Sequence, residues 1–319
     1  MSDIVWLASY PKSGSTWLRL LIENLVSKSE KPADINRLSA LVSHASSARD
    51  AFDSITGVDT DLLQPGEVEF LRGGVYRLVA QGRFDDIFRP APIGSGRPLV
   101  FMKVHDAYAR SADGTPLFGA GGAAIVIVRD PRAIVPSFAG HFGYSKDAAV
   151  QHLASDDFVM GAERTGPQLR QQVLSWSRHV QSWLDQADVP VFLLRYEDMR
   201  ADAARALRDA MSFLGIAVDE DAARRAAGFA DFNLLQAQER AAGFRERLRR
   251  ATAPFFRRGD AAGWRDELSA EQIAKIERAH GPTMQRLGYG DFAQNRPDGG
   301  PGNADRYFSH PLRQGDRHA

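Results

Sequence analysis

Near the amino terminus, the stretch Ser9-Tyr10-Pro11-Lys12-Ser13-Gly14-Ser15-Thr16-Trp17 has the composition of an anion site. Small and hydroxyl residues at the start of a helix leave several backbone N–H groups open, and the helix dipole favours negative charge there. Lys12 adds a full positive charge. An ordinary capped turn would account for Ser15 or Thr16, but not for the whole set. A nucleoside triphosphatase loop needs Gly-x-x-x-x-Gly-Lys-Ser/Thr. Here Lys12 precedes Gly14, and the sequence contains no Gly-Lys pair. The loop reads as a phosphate cradle of another kind.

Three further stations suit an anionic ligand. In Phe101-Met102-Lys103-Val104-His105, Lys103 and His105 are two apart and share one face of a strand. Together they offer a cation for developing charge and a base near neutral pH. Alone, His105 would read as a structural histidine; at a strand end beside a phosphate loop it reads as a catalyst. Arg129 closes an apolar run and Ser137 follows eight residues later. A strand-terminal guanidinium with a helix-borne hydroxyl fits a phosphate monoester; the alternative for Arg129 is an ion pair with Asp130. Last comes Pro254-Phe255-Phe256-Arg257-Arg258-Gly259, then Gly263-Trp264-Arg265. It ends a stretch, Arg240 to Arg258, with seven arginines and one acid, Glu246. Such a run is either a solvated helix face or an anion site.

The elements that would position these residues follow from the apolar pattern. Asp3–Ser9, Leu99–His105, Ala123–Arg129 and Val189–Tyr196 are continuous β-branched or aliphatic runs, as strands covered on both faces should be. Helical spacing marks Thr16–Ser27, Arg132–His141, about Gln168 to Gln186, and Asp202–Leu214. Ser269 with Gln272 forms a capping box, opening a final helix to about Leu287 that stops at Gly288. Strands alternating with helices predict an α/β fold, a single domain with a doubly wound, mainly parallel sheet. Ligands of such sheets bind outside the carboxyl ends of the strands, where all four stations fall. Residues 30–98 read as loop-rich cover over the site. The domain is expected to span 1–290, with 291–319, rich in Gly and Pro, as a mobile tail.

The bulk composition narrows the function classes. The 319 residues carry 40 Lys plus Arg and 40 Asp plus Glu, so no global field favours nucleic acid or an anionic membrane. With no cysteine there is no disulfide, thiolate catalyst or Cys-based zinc site. No apolar run is long enough to span a bilayer, and the start lacks a basic region followed by an apolar one. A cytoplasmic enzyme is the expectation.

The first loop closely resembles the Tyr-Pro-Lys-Ser-Gly-Thr-Thr-Trp loop of the sulfotransferases that use 3′-phosphoadenosine-5′-phosphosulfate (PAPS), with Ser15 in place of the first Thr. The other stations resemble the family's remaining motifs in order, over residues 3 to about 268. Val104 stands for the Thr of its Lys-Thr-His, and Arg258 for the Lys of its Arg-Lys-Gly; Ala262-Gly263 departs from its Gly-Asp. The resemblance implies a P-loop-like loop (Lys12, Ser13, Gly14, Ser15, Thr16) that binds the 5′-phosphosulfate. It implies that Trp17, Tyr196 and Phe232 pack on the adenine. It also implies that Arg129 and Ser137, with the Phe256, Arg257, Arg258, Gly259 segment, hold the 3′-phosphate. His105 would be the general base, with Lys12 and Lys103 as catalytic cations. PAPS would be the co-substrate, adenosine 3′,5′-bisphosphate (PAP) the product, and a small-molecule hydroxyl the acceptor, with no metal. The second reading is a metal-dependent phosphotransferase or nucleotide-binding protein, with Asp106 or Asp130 on the ion; the order of Lys12 and Gly14 argues against it. Neither the acceptor nor the oligomeric state is legible, and the family's dimer motif is not evident.

Overall fold

The computed structural model describes residues 3–27, 29–93, 98–111, 113–161, 163 and 166–290. The expected tail at 291–319 lies outside them. Seven strands form, in chain order β1 (Asp3–Ser9), β2 (Ala91–Pro92), β3 (Pro98–Val104), β4 (Ala123–Val128), β5 (Val159–Met160), β6 (Gln171–Gln172) and β7 (Val191–Arg195). The central sheet has the order β2-β3-β1-β4-β7. β1 pairs in parallel with β3 and with β4, and β4 in parallel with β7; only the short β2 runs antiparallel, at the edge.

Alternate residues of β1 feed two separate cores. Ile4, Trp6 and Ala8 pack into one, and Val5 and Leu7 into the other. Helix Ser15–Val26 covers the second face through Leu18, Leu21 and Ile22. Helices Pro65–Ala80, Pro131–Phe142 and Trp176–Leu184 cover the first through Tyr76, Ile134 and Trp183. Helices on both faces make the sheet doubly wound, as the uninterrupted apolar strands require. The chain goes from β1 to β3 on one side and returns to β4 on the other. The crevice of such a fold therefore opens at the carboxyl end of β1.

The four expected strands are present, trimmed by one or two residues, and His105 lies just past the end of β3 rather than within it. Two expectations are corrected. The helix expected from Gln168 begins only at Trp176, because Gln171–Gln172 pairs with Val159–Met160 and Leu174 takes a left-handed φ of 65°. Val173 shares the apolar stripe without being helical, since burial alone satisfies it. Residues 30–98 are not loop-rich: they hold helices Ala40–Ser43, Arg49–Thr56, Asp85–Phe88 and the 16-residue Pro65–Ala80, which begins with a capping box from Gln64 and Glu67. Helices Lys146–Ala154, Glu220–Phe229 and Phe232–Ala242 also form; each starts at a side-chain cap, from Ser145, Asp219 and Asp231 respectively. Among the described residues no helix is long and apolar enough to cross a membrane.

Candidate active site

The end of β1 turns sharply into its helix. Lys12 takes φ 70° and Gly14 φ 115°, and a Cβ on Gly14 would stand 2.8 Å from the Tyr196 ring. Only glycine fits there. Gly14 is also the N-cap, and no side chain caps the first turn, so the leading amides are left for a ligand. This removes the reading of the loop as an ordinary capped turn. The loop lines a cleft of about 850 Å³ that also receives Lys103, His105, Arg129, Ser137, Tyr196, Phe232, Phe256, Arg257, Arg258 and Gly259. All the sequence-derived site residues thus meet in one cavity except Ser13. Its side chain is buried beneath the loop and its N–H donates to the Tyr10 carbonyl.

Lys12 stands with its Nζ 3.4 Å from the centroid of the Phe255 ring, a cation–π contact. Burial, reinforced by the charges of Lys103 and Arg129, lowers its pKa from 10.5 to about 7. His105 Nδ1 lies 2.7 Å from the Ser9 carbonyl. A carbonyl only accepts, so Nδ1 carries the proton and Nε2 the lone pair. Burial, then the neighbouring Lys103, holds this imidazole well below its ordinary pKa and therefore neutral. Val104, between the two, is buried in the opposite core, as its place on the other strand face requires.

Arg129 is fixed by carbonyls: it donates to Lys12 O at 3.2 Å and to Asp260 O at 2.9 Å, 4.1 Å over the Tyr196 ring. Its Nε is buried with no partner. The alternative pairing with Asp130 does not occur, because that carboxylate takes Arg132. Ser137 reaches the same cleft from helix Pro131–Phe142. Tyr196 donates its hydroxyl to the Gly259 carbonyl at 3.0 Å, and Gly259, at φ 64°, lies against the Phe232 ring. Trp17 stands edge-on to Tyr196 at 5.8 Å. Trp17, Tyr196 and Phe232 thus give the cleft an aromatic end. Of the arginine run, Arg245, Arg250, Arg257 and Arg258 line the cavity, while Arg240, Arg247 and Arg249 are solvated, so both readings of the run hold in part.

The sulfotransferase domain family matches residues 123–288, just over half of the sequence. The chain belongs to this family. Cytosolic sulfotransferase 17 of Arabidopsis thaliana is 22% identical over 285 residues, 85% of this chain and 71% of that protein. Among solved structures, mouse sulfotransferase SULT7A1 complexed with PAP superposes with a TM-score of 0.53 at 18% identity, covering 89% of this chain and 84% of that one. Retinol dehydratase in complex with androsterone and the inactive cofactor PAP gives 0.52 at 16%, covering 88% and 80%. At these identities the superpositions establish a shared fold.

The sulfotransferase cleft also contains groups that motif reading missed. Glu246 accepts from Arg19 at 2.7 Å, Lys103 at 3.2 Å and Thr16 at 3.4 Å. Glu267 takes Arg257 in a bidentate pair at 2.7 and 2.8 Å and Arg258 at 3.3 Å. His141 lies edge-on to Phe255, and burial, then Lys12 and Lys103, lowers its pKa to about 3. Signals for two of these stand in the sequence. Glu246 is the lone acid of the arginine run, and His141 follows Ser137 by four residues, on the same helix face. Among the described residues, no three His, Asp or Glu side chains converge to hold a metal ion.

Proposed function

We propose that this sulfotransferase moves a sulfuryl group from PAPS to an acceptor hydroxyl by in-line attack. The observation that carries the reading is the meeting, in one cleft, of two distinct anion stations with an aromatic end: the uncapped helix start with Lys12, and Arg129 with Ser137, Arg257 and Arg258. Such a site matches an adenosine bearing anionic groups at both its 5′ and 3′ positions. The solved neighbours complexed with PAP are in keeping with it.

In this reading the leading amides of helix Ser15–Val26 and Lys12 receive the 5′-phosphosulfate. Arg129, Ser137, Arg257 and Arg258 fix the 3′-phosphate, so remote binding energy goes into alignment. The lone pair on His105 Nε2 takes the acceptor proton as the acceptor oxygen bonds to sulfur. The bond from sulfur to the bridging oxygen breaks, and PAP leaves with that oxygen. Lys12 and the amides stabilise the charge that grows on it, and Lys103 acts beside the transferring group. A neutral His105 is ready to accept, and its low pKa makes the proton transfer depend on the cations polarising the acceptor first. Acceptor walls come from Phe142, Tyr144, Phe158 and Leu248, which suit a small molecule with an apolar body. The catalytic domain spans 1–290. A cytoplasmic location is part of this reading, supported by the name of the Arabidopsis relative.

A thermal-shift panel tests the donor. Millimolar PAP should raise the melting temperature, whereas ATP, with or without Mg²⁺, should do so far less, because bound ligand stabilises in proportion to ln(1 + [L]/Kd). Stabilisation by ATP and Mg²⁺ alone would move the protein to the phosphotransferase reading.

A further inference from the structure

Three donors of the cleft already hold an anion that belongs to the chain. Glu246 Oε1 accepts from Arg19, and Oε2 accepts from Lys103 and from the Thr16 hydroxyl. These donors come from helix Ser15–Val26 and the end of β3, at the carboxyl edge of the sheet. A carboxylate presents acceptor oxygens only, as do a sulfuryl group and a phosphate. Thr16 and Lys103 are also groups assigned above to the 5′ end of the donor. One set of hydrogen-bond donors cannot serve both anions at once, and two like charges brought together there repel.

We infer that Glu246 is a displaceable internal competitor for the 5′ anion of the nucleotide, weakening donor binding and speeding the release of PAP. The inference rests on the donor assignment above. The local structure permits the exchange. Helix Phe232–Ala242 ends at Gly243, in a left-handed φ of 72°, and Glu246 lies on the irregular stretch that follows. Its side chain is 30% exposed, while Arg19 is 4% exposed and also tied to the Val42 carbonyl at 2.7 Å. The acid can leave toward solvent; the guanidinium stays. Arg19 and Lys103, after burial is opposed, hold the Glu246 carboxyl far below the usual carboxylate range, so it competes as a full negative charge. A nucleotide must therefore exchange one ion pair for another, and its apparent affinity is reduced by the fraction of molecules in which Glu246 occupies the donors.

The test compares two nucleotides that differ only at the 5′ position, PAP and adenosine 3′-phosphate, by calorimetry and by stopped-flow dissociation. Glu246→Gln should tighten PAP binding about tenfold or more and slow PAP release to match, while adenosine 3′-phosphate binding stays within about twofold. Glu246→Asp keeps the charge but shortens the reach, and should shift PAP in the same direction; it carries the test if the Gln variant does not fold. Unchanged PAP affinity, or equal tightening of both nucleotides, would overturn the competitor role. If PAP does not bind the unaltered protein at all, it is the donor assignment that fails.

Discussion

Replacing Arg129 by Ala separates a ligand-reading arginine from a structural one. In the folded protein the guanidinium makes two hydrogen bonds to carbonyls and lies over one aromatic ring, but it leaves Nε buried without a partner. Each charged hydrogen bond contributes about 1.5–3 kcal/mol and the cation–π contact about 0.5–2, while an unsatisfied buried donor costs about 1–3. The net loss of stability should be small, on the order of 1–3 kcal/mol, and the variant should fold. Loss of a charged partner at a buried anion costs about 2–5 kcal/mol, so PAP binding should weaken roughly 30-fold to several thousandfold. Adenosine 5′-phosphosulfate lacks the 3′-phosphate; it should bind the unaltered protein poorly and be scarcely affected by the change. Calorimetric titration of both nucleotides, below the melting temperature of each variant, reads the difference. Equal losses for the two would refute the role of Arg129, because misfolding or a shifted Lys12 loop depresses both together.

Three other outcomes are expected. His105→Ala should lower turnover about 10²–10⁴-fold with PAP affinity nearly unchanged; near-normal turnover would remove His105 from the mechanism. Lys12, with a pKa of about 7, is half charged at neutrality, and a bound anion favours its charged form. Binding PAP should therefore take up about half a proton at pH 7 and more at pH 8, with affinity falling as pH rises. Titration in buffers of different ionisation enthalpy measures this, and a buffer-independent heat would contradict it. Gly259→Ala adds a Cβ 2.7 Å from the Phe232 ring at a left-handed φ, so it should cost about 1–2 kcal/mol of backbone strain and more in clash. PAP affinity should fall with it, and a variant that binds PAP normally would place Gly259 outside the nucleotide site.

The sheet was legible because burial on both faces writes itself into the sequence as unbroken apolar runs such as Ile125-Val126-Ile127-Val128. The P-loop-like turn was legible because its glycine, lysine and hydroxyls sit within a few residues of one another. Legibility failed where contact is long-range or where burial mimics periodicity. Val173, Trp176, Val180 and Trp183 suggested one continuous helix, yet Gln171–Gln172 gains more from pairing with β5. Glu246 and Glu267 were not assigned, since nothing local to either residue marks the cations it reaches: Lys103 lies 143 residues away from Glu246. Helix Pro65–Ala80 was missed because Gly73 and Gly74 dilute its pattern, although Arg72 is buried on it, paired with Asp106 at 2.8 Å.

A chain of zero net charge that gathers Lys12, Arg19, Lys103, Arg129, Arg257 and Arg258 around one cleft must offset like charges in a site partly shut off from water. It does so in two ways. Arg19 and Lys103 are balanced by Glu246, and Arg257 and Arg258 by Glu267, acids carried between residues 246 and 267, outside the sheet. Arg129, at the sheet edge, has no carboxylate partner among the described residues and is balanced by carbonyl dipoles alone. Dipoles fixed in the fold cannot be exchanged for a ligand's charge, whereas a side-chain carboxylate can. The nucleotide therefore meets one station whose cation is already free to pair and others where an acid must yield. The 3′-phosphate at Arg129 should be the first group to dock, and the 5′ anion the group whose entry reorganises the site.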